Sequence, residues 1–277
     1  MTCRAGIQIL GLCRFSYPTL GDGFAHADRD LQTNRARLYD PARLALRFWF
    51  FEQLCLPSLR AQDDPDFTLV LVHGDGLPAP WRARLETLCA CVPQIRLWSA
   101  PEGQGHRALC RAALCQARDP GARVVGEFTL DDDDGLACDH VARSRADFAH
   151  LAPLWREAGR AALDYNAGLI VEAGQGIRLH PVHAPQWAAG LTLFCRPGSS
   201  RCVQDFNHRR VWSRIPTLTL PAPPMYLRGV HGANDSRVSG MIPREPPGHE
   251  TSAALLQRRF GLDRQLLEKA WNARDMR

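Results

Sequence analysis

The sequence predicts an α/β fold: a mostly parallel sheet with helices on both faces, followed by a less regular C-terminal portion. Three observations carry this prediction. Between residues 5 and 140, short apolar runs alternate with amphipathic stretches of helical length. One of those runs, Phe67 to Val72 (FTLVLV), is apolar throughout, as a strand buried on both faces must be. A chain of 277 residues, 45% of them hydrophobic, can bury one large core without disulfide or metal staples.

The elements follow in order. Residues 7 to 13 (IQILGLC) read as a first strand that ends near Arg14 and Pro18, and residues 21 to 39 are polar and irregular. Asp40-Pro41 then opens a helix, with Asp as N-cap and Pro at the first helical position. Leu44, Phe48, Phe51 and Leu54 or Cys55 keep the helical period to about Gln62. A turn at Asp64-Pro65-Asp66 leads into the strand at 67–72. Residues 81–91 read as a helix, 95–98 as a strand, 106–118 as a helix and 124–130 (VVGEFTL) as a strand. Beyond these, a helix is expected over 138–159 and short strands near 168–172, 176–179 and 190–195. The proline-rich stretch 214–250 reads as loop, and an amphipathic helix over 252–272 closes the chain. One domain, 1–277, is expected, with the C-terminal portion packed on the first as an elaboration.

Composition excludes several classes. No run approaches 18 apolar residues, so no bilayer-spanning segment is expected. The N-terminus has no long apolar region followed by small residues, and the expected location is the cytoplasm. The net charge is +5, but the arginines are scattered among acids and apolar residues instead of gathered in a tract, which argues against nucleic acid as a partner. A mildly positive field suits a small anionic substrate equally well. Ten cysteines occur without a CxxC pair, so they read as reduced thiols filling core space and not as zinc ligands.

The strongest chemical signal is Asp131-Asp132-Asp133-Asp134, directly after the strand at 124–130. That places four carboxylates at the C-terminal edge of a buried strand, where open α/β sheets bind ligands. Carboxylates this close repel one another unless a positive group joins them. Mn²⁺ or Mg²⁺, with open positions for phosphate oxygens, is the natural neutraliser. The plain alternative is a solvated acidic turn that caps the next helix. Arg14, at the end of the first strand, stands where a nucleotide would meet the sheet, and its planar fork suits phosphate oxygens.

Several phrases resemble a known family. PSLRAQDDPDFTLVLVHGDGLP (57–78) resembles the second helix–strand unit of glycosyltransferases with the GT-A fold, and VVGEFTLDDDDGLACDHV (124–141) resembles their DxD-bearing strand. With the opening CRFS, the FFEQLCLPSL helix and the late GVHGAND, the chain is similar to a bacterial rhamnosyltransferase family. The resemblance implies a GT-A-like (Rossmann-like) sheet whose residues 5–140 bind a nucleotide-sugar and whose residues 141–277 bind the acceptor. It implies that Asp131 and Asp133 match the two acids of the DxD motif, Asp131 toward the ribose and Asp133 on the metal. Asp134 would extend the metal site and Asp132 would border the donor. His231, in a Gly-bracketed loop, would return to the metal, and Asn234, Asp235 and Ser236 would support it or bind phosphate. Arg107, on the helix before the DxD strand, would contact the donor. Asp205 in VQDFNH fits the chain order of a catalytic base, with Asp164 in ALDYNAG as a rival. A structural role remains the alternative for each of these.

The implied activity is metal-dependent transfer of a sugar, rhamnose by resemblance, from a nucleoside-diphosphate donor to a glycan or lipid-linked acceptor, with inversion. Peripheral membrane association through a partner is compatible with that reading. A sugar-phosphate nucleotidyltransferase could use the same acids, though CRFSYPTLGDGF is a poor phosphate loop. A non-catalytic glycan-binding module would not need so many acids.

Overall fold

A computed structural model describes residues 6–20, 30–221, 223–232, 234 and 249–274. Its strands are β1 (Ile7–Phe15), β2 (Thr68–Gly74), β3 (Ile95–Ala100), β4 (Val124–Thr129), β5 (Asp134–Leu136) and β6 (Arg160–Tyr165). After them come β7 (Ala167–Ala173), β8 (Ile177–His183), β9 (Leu191–Cys195), β10 (Thr217–Leu220) and β11 (Tyr226–Val230). The helices are α1 (Leu31–Leu38), α2 (Pro41–Phe50), α3 (Leu56–Arg60), α4 (Ala79–Ala90), α5 (His106–Ala117), α6 (His140–Ala158), α7 (His249–Phe260) and α8 (Arg264–Arg274).

Seven strands form the main sheet in the order β10-β6-β9-β4-β1-β2-β3. All run one way except β9, which is antiparallel to both β4 and β6. The sheet is covered twice, and strand alternation records it. Ile9, Cys13, Phe15, Leu69 and Leu71 face the core shared with α2, α4 and α6. Leu10, Leu12, Val70 and Val72 face the opposite core, under Leu109, Ala113 and Leu114 of α5. The expected α/β class, mostly parallel with helices on both faces, is what the chain adopts. The C-terminal portion adds a second sheet, β5-β11-β7-β8, whose central pair β7 and β11 is parallel.

Several boundaries differ from the sequence reading. The helix expected over 40–62 starts where predicted, with the Asp40 side chain accepting from Arg43 N at 2.9 Å. It then widens into a π-helical turn over Phe51–Cys55 before α3. Pro57 has no N–H for the carbonyl four residues earlier, and the widened turn lies directly before it. The single closing helix is two helices, because Gly261 takes φ +67° and ends α7, after which Asp263 caps α8 by accepting from Gln265 N at 2.7 Å. Strands β10 and β11 lie in the stretch read as loop, each short, β10 between Pro216 and Pro221 and β11 just after Pro224. Helix α1, capped by Asp30 on Thr33 N at 3.0 Å, has too little apolar periodicity to announce itself.

Candidate active site

The ladder between β1 and β4 continues one residue past β4, with Leu130 N donating to Leu12 O at 3.0 Å. Asp131 to Asp134 then turn tightly, Asp134 N donating to Asp131 O at 3.0 Å. The acids therefore stand at the carboxyl edge of the sheet's centre, as predicted. Asp131 is exposed, whereas Asp132, Asp133 and Asp134 are buried. Ligand atoms of Asp131, Asp133 and Asp134 all lie within 4.8 Å of one another.

Two arginines hold this turn. Arg47 of α2, 7% exposed, reaches Asp132 through Nε at 3.1 Å and through Nη2, and reaches Asp133 Oδ2 through Nη1 at 2.7 Å. Arg228 of β11 places Nη1 3.9 Å from Asp134 Oδ2 and stacks over the Trp187 ring at 5.2 Å. Strand β11 also gives Gly229 N to Asp134 Oδ1 at 3.1 Å. Its backbone passes so close that a Cβ on Gly229 would overlap the carbonyl oxygen of Asp133.

The loop after β11 completes the cluster. His231 Nε2 donates to Asp133 Oδ2 at 3.0 Å, and Asn234 Nδ2 donates to the same oxygen at 2.9 Å. Phe50 lies against the His231 ring at 4.5 Å between centroids. Burial holds the imidazole pKa below its ordinary value despite the Asp133 partner, so His231 is neutral near pH 7. Burial would raise the Asp133 carboxyl, but Arg47 and His231 outweigh it and hold it well below the usual carboxylate range. Burial holds Asp134 well above that range, with Arg228 opposing and repulsion from Asp133 and Asp131 adding. Even with Asp134 carrying a proton, Asp131, Asp132 and Asp133 are three carboxylates facing the guanidinium groups of Arg47 and Arg228, and negative charge is left over. That surplus, borne on hard oxygen donors in one small volume, fits a divalent cation.

The structure brings Asp131, Asp133, Asp134, His231 and Asn234 together, while Asp235 and Ser236 lie outside the described residues. It corrects the expected donor contact at Asp132. That side chain is 0% exposed, faces Arg47 and braces the turn from within. Arg14 is half-buried beside the sheet edge, with Nη1 donating to His106 Nδ1 at 3.3 Å. The other nitrogen of His106 meets Gln204 Oε1 at 3.3 Å. Arg107 is exposed on the first turn of α5 and has no hydrogen bond or ion pair among the described residues.

Neither carboxylate considered as base stands free. Asp205 is engaged by Arg111 through both oxygens and accepts from Cys202 N at 2.8 Å. Burial acts to raise its carboxyl, but Arg111 prevails and holds it below the ordinary value, which makes it a weak proton acceptor. Asp164 is 0% exposed and accepts from Gln186 N and Thr219 Oγ1, each at 2.9 Å. Arg47 and Arg228 were not foreseen in these roles. Arg47 had a legible signal: it lies on the helical face of Leu44, Phe48 and Phe51, where a charge needs a buried partner. Arg228 had none.

A mostly parallel sheet with one reversed strand and an acidic turn at its carboxyl edge fits the GT-A-like architecture that the sequence resemblance implies. The chain belongs to the family described as "Putative rhamnosyl transferase", whose model matches residues 8–242. Among solved structures it is similar to S. aureus TarS 1–349 in complex with UDP-GlcNAc, at 12% identity and TM-score 0.45 over 95% of this chain and 70% of that one. It is similar also to S. aureus TarS 1–349, at 13% identity and TM-score 0.43 over 80% of this chain. A mycobacterial homologue (strain JC1) of M. tuberculosis rv0371c is similar at 13% identity and TM-score 0.36, over 78% of this chain and 88% of that one. The chain spans 60% of the length of TarS 1–349. No curated protein matches it.

Proposed function

We propose that this glycosyltransferase is metal-dependent and takes a sugar from a nucleoside-diphosphate donor seated on the carboxyl edge of the main sheet. The sugar would pass to a glycan or lipid-linked acceptor, with inversion, in the service of polysaccharide synthesis. Rhamnose is the sugar that membership of the family favours. The observation that carries the reading is the cluster of Asp131, Asp133 and Asp134 at that edge, with more negative charge than its arginines neutralise.

Asp131, Asp133 and Asp134 would hold Mn²⁺ or Mg²⁺, joined by His231 once Nε2 exchanges the hydrogen it gives Asp133 for a lone pair; the ion when bound screens charge on the departing diphosphate. Asp131, the exposed member, is also free to meet the ribose. Arg14 and Arg107 would steer the donor's phosphates to the edge. Arg47 and Asn234 fix the orientation of Asp133, so the cluster is formed before ligand arrives. Residues 5–140 would then serve the donor and 141–277 the acceptor. No helix of the described residues is long and apolar enough to cross a membrane, and the described cysteines are all free, which suits the cytoplasm.

The test is thermal unfolding with UDP, TDP, GDP and CDP, each with Mn²⁺ and with EDTA, on the wild type and on Asp131→Asn. A nucleotide at about 100 times its Kd stabilises by about 2.7 kcal/mol, a shift of several degrees. One nucleotide should produce a shift that needs Mn²⁺ and shrinks in the variant. No shift with any of the four overturns the donor site.

A further inference from the structure

With Asp205 and Asp164 both engaged, the acceptor hydroxyl needs another proton acceptor, and His208, a ring on which the charges of Asp131 and Arg228 act, can offer one. His208 begins a short 3-10 turn, His208–Ser213, capped by Asn207, whose side chain accepts from Arg209 N at 3.0 Å. Its ring is half-buried. Nδ1 lies 2.6 Å from the carbonyl oxygen of Gln186. A carbonyl can only accept, so Nδ1 carries the hydrogen and Nε2 keeps its lone pair.

That carbonyl is aimed with effort. Gln186 has φ +59°, a left-handed conformation that a side chain disfavours, and such strain persists only where the surroundings enforce it. Here the enforcing group is Asp164: Oδ1 accepts from Gln186 N, while Oδ2 accepts from Thr219 of β10. A buried carboxylate thus holds a strained residue in place, and the carbonyl of that residue sets the tautomer of His208. The next residue, Trp187, lies under Arg228, the partner of Asp134. The charges that act on the ring are Arg209 on its own turn, Arg228 on β11 and Asp131 on the acidic turn.

We propose, resting on the donor site described above, that His208 Nε2 is the general base of the transfer. The acceptor oxygen bonds to the anomeric carbon while the bond from that carbon to the diphosphate breaks, its electron pair leaving with the nucleoside diphosphate. The hydroxyl proton passes to Nε2, and the resulting imidazolium later returns it to solvent. The Gln186 carbonyl keeps its hydrogen bond to Nδ1–H throughout and favours the imidazolium as it forms. Burial holds the ring's pKa below the ordinary histidine value, so the base is unprotonated at neutral pH.

The test uses the full chain, with His208→Ala compared to wild type. Mn²⁺-dependent stabilisation by the nucleotide found above should be unchanged. Release of nucleoside diphosphate from TDP-rhamnose, UDP-N-acetylglucosamine and GDP-mannose, with water as acceptor, should fall about 10²- to 10⁴-fold for the donor that turns over. Added imidazole should restore part of the loss, and the acid limb of the kcat/KM profile should disappear. Independently of turnover, the ring ¹⁵N spectrum of the wild type, assigned by difference with the variant, should show the Nδ1–H tautomer. Turnover within about threefold of wild type, a loss that imidazole does not touch, or the Nε2–H tautomer overturns the assignment. If the wild type binds no nucleotide, the donor reading fails instead.

Discussion

Two arginine–carboxylate arrangements lie across the sheet from each other, and they are built to opposite ends. Arg118, at the end of α5, donates to Glu127 Oε1 through Nε at 2.8 Å, while Nη1 and Nη2 go to the carbonyls of Pro197, Ser199 and Arg201. Glu127, in the middle of β4, uses its other oxygen on Val203 N at 2.9 Å. Nothing is left over, and the group fastens loop 196–203 to the sheet. Arg47 faces an excess of acid instead, and even with Arg228 nearby the turn at 131–134 keeps negative charge to spend on a ligand. A closed buried pair serves the fold; a deliberately unbalanced one marks the site.

Three experiments break or sharpen this contrast. Arg118→Met leaves a carboxylate buried without its partner and should cost about 3–5 kcal/mol in urea unfolding, while adding Glu127→Leu recovers much of it. Metal should not change either result. Arg47→Met should cost somewhat less, about 2–4 kcal/mol in EDTA, since Asp131 offers a solvent-exposed side to the cluster. Here Mn²⁺ should matter: its stabilising increment, measured by the same unfolding curves, should exceed that of wild type because one competing positive charge is gone. An equal increment would mean that Arg47 does not share the cation's ligands.

The smallest effect is pH-dependent. His106 is held to a pKa of about 4, chiefly by burial and then by the Arg14 charge. Its folded value lies below its unfolded value of about 6.5. The folded state therefore binds fewer protons, and stability is present above pH 6.5 and lost as pH falls toward 4. The loss should be about 2–3 kcal/mol between those values, and His106→Asn should flatten that part of the curve.

Local pattern decided what was legible. The strand FTLVLV and the Asp40-Pro41 cap depend on neighbours in sequence, so β2 and the start of α2 were readable. The acidic turn was readable because its strand was. His231 was placed by resemblance, and the structure puts it 3.0 Å from Asp133. The contacts that hold the site were not readable. Arg47 lies some 85 positions before Asp132, and β11 finds β7 across 58 positions of the C-terminal portion, pairing Leu227 with Leu169. His208 carries no signal in HRRVWS, since its tautomer depends on a carbonyl 22 positions earlier. Asp132 and Asp205 were acids in suitable places; only their partners reveal that both are occupied.

The tight passage of Gly229 behind Asp133 sets an order of events during synthesis. A nascent chain that has emerged as far as Leu220 holds every strand of the main sheet, from β1 to β10. At that moment the acidic turn still lacks Arg228, the amide of Gly229, His231 and Asn234. The scaffold can form on the ribosome well before the site does. The acidic edge is completed only when residues 228–234 join it, and a residue that brings only backbone to the spot makes room for them.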